Sequence, residues 1–143
     1  MLNRLVCVSI ACALFLSCTS IFSYCMPYCV TKKSIVAESK SGVCNFCYAE
    51  IQIVNNSEKA IREFEICFSI FDSSENPIGT FTNAVRAKCA KKISPRAEEK
   101  IFVCLDDFLE CASGDCKLDF VYIAKIVYED NSVWTDEAGI YVS

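Results

Sequence analysis

The chain has 143 residues, 53% of them hydrophobic and 22% charged, with twelve cysteines and no histidine. That mix suits one globular domain and excludes a disordered tail. A net charge of −4 and a sequence pI near 4.9 give no electrostatic basis for binding phosphates, so nucleic acid is set aside as a partner.

Met-Leu-Asn-Arg opens the sequence, an uncharged apolar run follows from Leu5 to Cys18, and the next charge is Lys32. A short cationic start ahead of an apolar stretch is the layout of a secretory signal. Arg4 is expected to stay inside while the rest is exported. No Ala-x-Ala-like cleavage site follows, so the mode of attachment turns on Phe15-Leu16-Ser17-Cys18. These residues resemble the bacterial lipobox, with the family's Leu shifted to Leu14 or Leu16. The resemblance implies a signal peptide over 1–17 and a diacylglycerol on the Cys18 thiol. Two or three acyl chains, at about 0.8 kcal/mol per buried CH₂, would hold the protein firmly to a membrane. Two alternatives stay open. Leu5 to Val30 is 26 residues without a charge, long enough for an uncleaved spanning anchor, although Pro27 and several Ser and Thr interrupt it. A freely secreted product is the other. All three export the domain, and the cysteine content fits an oxidising compartment.

Residues 18–42 read as a lipidated, flexible tether, because Ser, Thr and Lys are scattered through "VTKKSIVAESKSG" without a sustained apolar period. The folded domain is expected over 43–143. Ala49, Ile51 and Ile53 alternate with Glu50 and Gln52, and Asn55-Asn56-Ser57 supplies a turn. Phe64, Ile66, Phe68 and Ile70 alternate with Glu65, Cys67 and Ser69 until "DSSENP" breaks the run. Ile78 to Cys89 is a strand with weaker alternation; "SPRAEE" is a turn; Ile101, Val103 and Leu105 alternate with Phe102 and Cys104. Asp106 to Ala112 is the one short helix expected. Phe120 to Tyr128 is apolar on both faces apart from Lys125, as for a strand inside a sheet. Glu129 to Ser132 turns the chain into Val133-Trp134, with Trp134 a core or sheet-edge anchor, and Ile140-Tyr141-Val142 closes it as a last strand. Six or seven short strands in about 100 residues predict an all-β fold, an antiparallel sandwich behind an N-terminal signal or anchor helix.

The stretch "IQIVNNSEKAIREFEICFSIFDSSENPIG" is similar to the FxLYD domain. Phe68-Ser69-Ile70-Phe71-Asp72 stands where that family has Phe-x-Leu-Tyr-Asp. Asn55, Asn56, Ser57, Lys59, Ile61, Ile78 and Gly79 follow the rest of its pattern. "ISPRAEEKI" resembles the family's Pro-Gly turn, with Arg96 in place of glycine. The resemblance covers roughly residues 47 to 105. It implies an immunoglobulin-like β-sandwich and a bacterial envelope setting, and it carries no catalytic residue.

Without histidine, nucleophilic catalysis lacks its usual base. Lys59, Lys92 and Lys100 fall at turns or strand ends, and the four glycines form no phosphate loop, so neither an enzyme nor a cofactor is expected. Cys7 and Cys12 in the signal and Cys18 at the anchor leave nine cysteines, an odd number. Cys111 and Cys116 flank "ASGD" and suit a disulfide. Cys44-Asn45-Phe46-Cys47 has redox spacing, but it opens a strand, where no helix dipole lowers a thiol pKa and the two side chains face opposite ways. A zinc site from both pairs is disfavoured by the 63 residues between them. No metal is assigned. Six basic residues lie between Arg86 and Lys100 and nine acids after Cys104. A solvated edge with a counter-charged neighbour accounts for both, and a docking surface for an envelope protein is the alternative. Asn55-Asn56-Ser57 is formally a glycosylation acceptor that the turn explains better. The expected function is a membrane-anchored, non-catalytic binding or structural module of the bacterial envelope. The alternative is an envelope thiol-redox or cysteine-metal protein using Cys44 and Cys47.

Overall fold

The computed structural model describes residues 25–40, 43–79, 82–109 and 116–141, without the side chains of 38–40 and 43–45. Its strands are β1 (Tyr28–Lys40), β2 (Val43–Asn55), β3 (Ile61–Phe71), β4 (Ala84–Cys89), β5 (Glu98–Cys104), β6 (Lys117–Tyr128) and β7 (Val133–Thr135). They form two antiparallel sheets, β1-β2-β5 and β4-β3-β6-β7. The all-β sandwich expected from the strand pattern is present.

Alternation decides which side chains enter the core. Ala49, Ile51 and Ile53 of β2 and Ile101 and Val103 of β5 face inward from one sheet; Phe64, Ile66, Phe68 and Ile70 of β3 and Ile123 and Ile126 of β6 meet them from the other. Each buried Ile, Val or Phe side chain contributes about 1.5–3 kcal/mol by leaving water, and Ala49 less. Trp134 on β7 packs at the margin, edge-on to Tyr28 with ring centroids 5.8 Å apart.

The expected tether is corrected. Residues 28–40 are the thirteen-residue edge strand β1, paired along its length with β2. A register shift between Val30 and Lys32 explains why no period was visible. Tyr28 and Val30 pack on the core from even positions, and Ile35 does so from an odd one, because the bulge switches the phase. The lysines that read as linker are those an edge strand carries. Lys33 crosses to Asp119 on the other sheet at 3.1 Å. The sandwich therefore starts at Tyr28 rather than Val43. Residues 28–30, the end of the uncharged run, are strand, and among the described residues no helix is long and apolar enough to cross a membrane.

Three smaller expectations also change. Among the described residues, the strand expected over 78–89 is Ala84–Cys89, because Pro77 bridges Phe71 and the Ile78 N–H returns to the Ile70 carbonyl. At Gly79 a Cβ would sit 2.1 Å from the Thr82 carbonyl oxygen, so only glycine allows this hook. The described part of the expected helix is a single turn, with Phe108 and Leu109 N–H groups both on the Leu105 carbonyl. Residues 110–112 lie outside the described residues. Ile140 and Tyr141 form a turn instead of a strand, since the buried Asp136 carboxylate accepts both their N–H groups.

Candidate functional site

Cys18 and Cys111 lie outside the described residues, and so does the signal segment. Cys44 is in β2 opposite Ser39, beside a register shift that leaves Asn45 as a bulge. Cys47 is 3% exposed and turned into the core. Cys116 is half-buried before β6 and packs on the core as well. Cys25, Cys29, Cys67, Cys89 and Cys104 carry free thiols, so these five do not form the disulfide framework that the cysteine content suggested. Burial pushes the Cys67 and Cys89 thiols up, and both serve as small apolar side chains.

The basic stretch resolves into ion pairs. Arg86 meets Glu65 and Glu137; Lys88 meets Glu63; Lys91, Glu99; Lys92, Glu129; Arg96, Glu58; and Lys100, Glu50. All six positive charges have an acid against them, but only Glu129 and Glu137 belong to the acidic stretch after Cys104. Asn55 is equally committed. It is fully buried, its amide nitrogen donates to the carbonyls of Lys59, Ile93 and Ser94, and its oxygen accepts from the Ser57 N–H and hydroxyl. That amide has no freedom to carry a glycan.

The outer face of the β1-β2-β5 sheet is different. In β2 the outward positions after the bulge are Phe46, Tyr48 and Glu50, and in β5 they are Lys100, Phe102 and Cys104. Phe46 is 61% exposed and Phe102 58%. Tyr48 stands directly opposite Cys104, and its ring meets Phe102 edge-on at 5.5 Å between centroids. Glu50, opposite Phe102, marks the border of the apolar area: Lys100 at 2.9 Å and Lys32 at 3.8 Å occupy it, and they hold its carboxyl below the usual range.

Asp106 closes the other end. The ladder between β2 and β5 runs out there, and Asp106 Oδ1 accepts the Cys47 N–H at 2.8 Å while Oδ2 accepts the Cys104 thiol at 3.3 Å. Together Phe46, Cys47, Tyr48, Phe102, Cys104 and Asp106 line a hollow of about 470 Å³. That is within the roughly 300–1,000 Å³ of small-ligand sites. Chemically the set offers apolar area, one carboxylate and a thiol donor.

Three of the four sheet edges are guarded by contrast. Lys91 Nζ covers the Lys100 carbonyl on the free edge of β5 at 2.9 Å, β1 carries a bulge at Thr31, and β7 has three residues. These are the devices that block strand addition. Sequence reasoning missed the aromatic face although a signal was present. Phe46, Tyr48 and Phe102 occupy the phase of the alternation that Glu50, Gln52 and Lys100 fill elsewhere with polar side chains.

No family model and no curated protein matches the chain. Among solved structures it is similar to a hypothetical protein of Peptoclostridium difficile 630, seen by X-ray crystallography at 1.85 Å, with a TM-score of 0.58 and 13% identity over 79% of this chain and 88% of that one. At that identity the likeness concerns the fold alone.

Proposed function

We propose that this chain is a bacterial envelope lipoprotein, lipidated on Cys18, whose FxLYD-like, immunoglobulin-like sandwich is a non-catalytic binding module. One observation carries the reading: among the described residues both sheets are built from Tyr28 onward and the first side chain to pack on the core is that of Met26, downstream of the lipobox-like Phe15-Leu16-Ser17-Cys18. The division of strands supports the immunoglobulin-like part. First, second and fifth strands face third, fourth, sixth and seventh, which differs from a constant-type domain only in the sheet the fourth strand joins. The FxLYD-like residues have matching physical roles. Phe68 and Ile70 fill the core, and Asp72 accepts the N–H groups of Ser74 and Asn76 to start the turn.

The anchor would be close. Ten residues separate Cys18 from Tyr28, at most about 36 Å of extended chain. Tyr28 pairs with Asn55, and Phe46 is nine residues along β2, roughly 30 Å from that end. The aromatic face thus sits at the end of the sheet far from the anchor, and it is the face that binds. Growth with an alkyne-tagged fatty acid tests the anchor. Label on the wild-type protein, lost in Cys18→Ala, is the expected result; an unlabelled wild type, or label that survives Cys18→Ala, would remove the lipoprotein reading.

A further inference from the structure

Resting on the reading that the aromatic face is the module's binding surface, we propose that the hollow between β2 and β5 takes a cationic peptide segment. Its one aromatic side chain seats among Phe46, Tyr48 and Phe102, and its positive charge lies against Asp106.

Charge gives the first argument. Asp106 is the one ionised group lining the hollow, and among the described residues no cation pairs with it. Its oxygens accept from a backbone N–H and a thiol, both neutral, so the negative charge is left for a ligand. Asp107, exposed beside it, has the same sign. The lysines nearest in the sheet, Lys100 and Lys32, are held by Glu50. Exposed Phe and Tyr rings add to the preference, since their faces attract ammonium and guanidinium groups.

Size gives the second argument, and it favours a small ligand over another copy of this chain. Phe46 and Phe102, 61% and 58% exposed, make an apolar patch of roughly 250 Å². A stable protein dimer needs roughly 800 Å² from each partner. The patch accommodates one anchor residue and its neighbours. Because Lys91 blocks the β5 edge, the peptide is held by side chains rather than as an added strand.

The test is fluorescence anisotropy with the full-length protein and three labelled peptides: acetyl-Arg-Phe-Arg-amide, acetyl-Arg-Ala-Arg-amide and acetyl-Glu-Phe-Glu-amide. Saturable binding of the first is expected, about tenfold weaker for the second, absent for the third, and about tenfold weaker in both Phe102→Ser and Asp106→Asn. The Asp106→Asn side chain keeps an acceptor for the Cys47 N–H, and Phe102 is exposed, so both variants should fold; should Asp106→Asn fail to, the peptide series and Phe102→Ser still decide. No saturable binding of the basic aromatic peptide, equal binding of all three, or indifference to both variants would overturn the proposal. So would a dimer in sedimentation that Phe102→Ser dissolves, since the face would then belong to a second copy. Fatty-acid labelling at Cys18 is unaffected by any of these outcomes, so the peptide and the anchor fail separately.

Discussion

Tyr28 and Ile123 are 95 residues apart, yet the Tyr28 hydroxyl oxygen accepts the Ile123 N–H at 2.9 Å inside the core. The bond exists because β6 bulges there. Glu65 pairs with Lys125 and Ile66 with Ile123, which leaves Ala124 as the extra residue and takes an N–H out of the ladder. Asp136 N–H satisfies the Ala124 carbonyl from the outside at 2.8 Å, and Tyr28 reaches across from the other sheet to satisfy Ile123. Tyr28→Phe keeps the ring and orphans that N–H. A loss of about 1–3 kcal/mol is expected, read as a lower urea midpoint at unchanged slope.

Since β1 supplies Tyr28 and a thirteen-residue ladder, the domain boundary is itself testable. A chain starting at Val43 should give no cooperative thermal transition, because β2 would lose its partner and the core its Tyr28, Val30 and Ile35. A chain starting at Cys25 should unfold as one unit. Equal melting of the two would refute the integral role of β1.

Asn55→Ala removes one amide that serves five partners in two segments. The buried carbonyl of Ile93 would lose a donor, and the loop before β5 its link to the β2–β3 turn. Destabilisation of about 2–4 kcal/mol is expected by denaturant titration, against less than about 0.5 kcal/mol for the exposed Ser73→Ala.

Stability should form a plateau in pH with a fall on either side. Lys59, with help from Ser132, holds Asp130 well below the usual carboxylate range; Asn76 lowers Asp72, Arg86 lowers Glu65 and Lys100 lowers Glu50. A lowered folded pKa stabilises above the unfolded value and is lost on acidification, so the urea midpoint should drop below about pH 4.5. Burial raises Cys67 and Cys89, as it does Tyr28. A raised folded pKa stabilises only until the unfolded thiols ionise, so the midpoint should fall again above about pH 8.5. Salt should blunt the acid limb, whose pairs are exposed, more than the alkaline one.

Thiol labelling should divide the same cysteines. Cys25, Cys29 and Cys104 are exposed and should react in the native protein, whereas Cys67 should wait for unfolding. Mass spectrometry after timed alkylation reads the order; early labelling of Cys67 would contradict its place under Tyr122 and the C-terminal turn.

Strands with an unbroken period were legible in the sequence. Phe64, Ile66, Phe68 and Ile70 announced β3, and two-sided apolarity announced the inner position of β6. β1 was not, because its bulge splits the apolar positions between two phases and its edge lysines imitate a linker. Ile140 and Tyr141 misled for the opposite reason: an apolar run suggested a strand, while Asp136 bends it into a turn. Arg86 to Lys100 were expected beside the acids after Cys104, yet only Glu129 and Glu137 come from there, and Glu50, Glu58, Glu63, Glu65 and Glu99 could be named only once the register was known. The aromatic face needed the same knowledge, since Phe46 and Phe102 become neighbours only through the pairing of β2 with β5.

The most direct measurement is the intact mass of the full protein extracted from the membrane. The account predicts a chain beginning at Cys18 with the added mass of two or three acyl chains. The mass of the whole sequence from Met1 without lipid would contradict it.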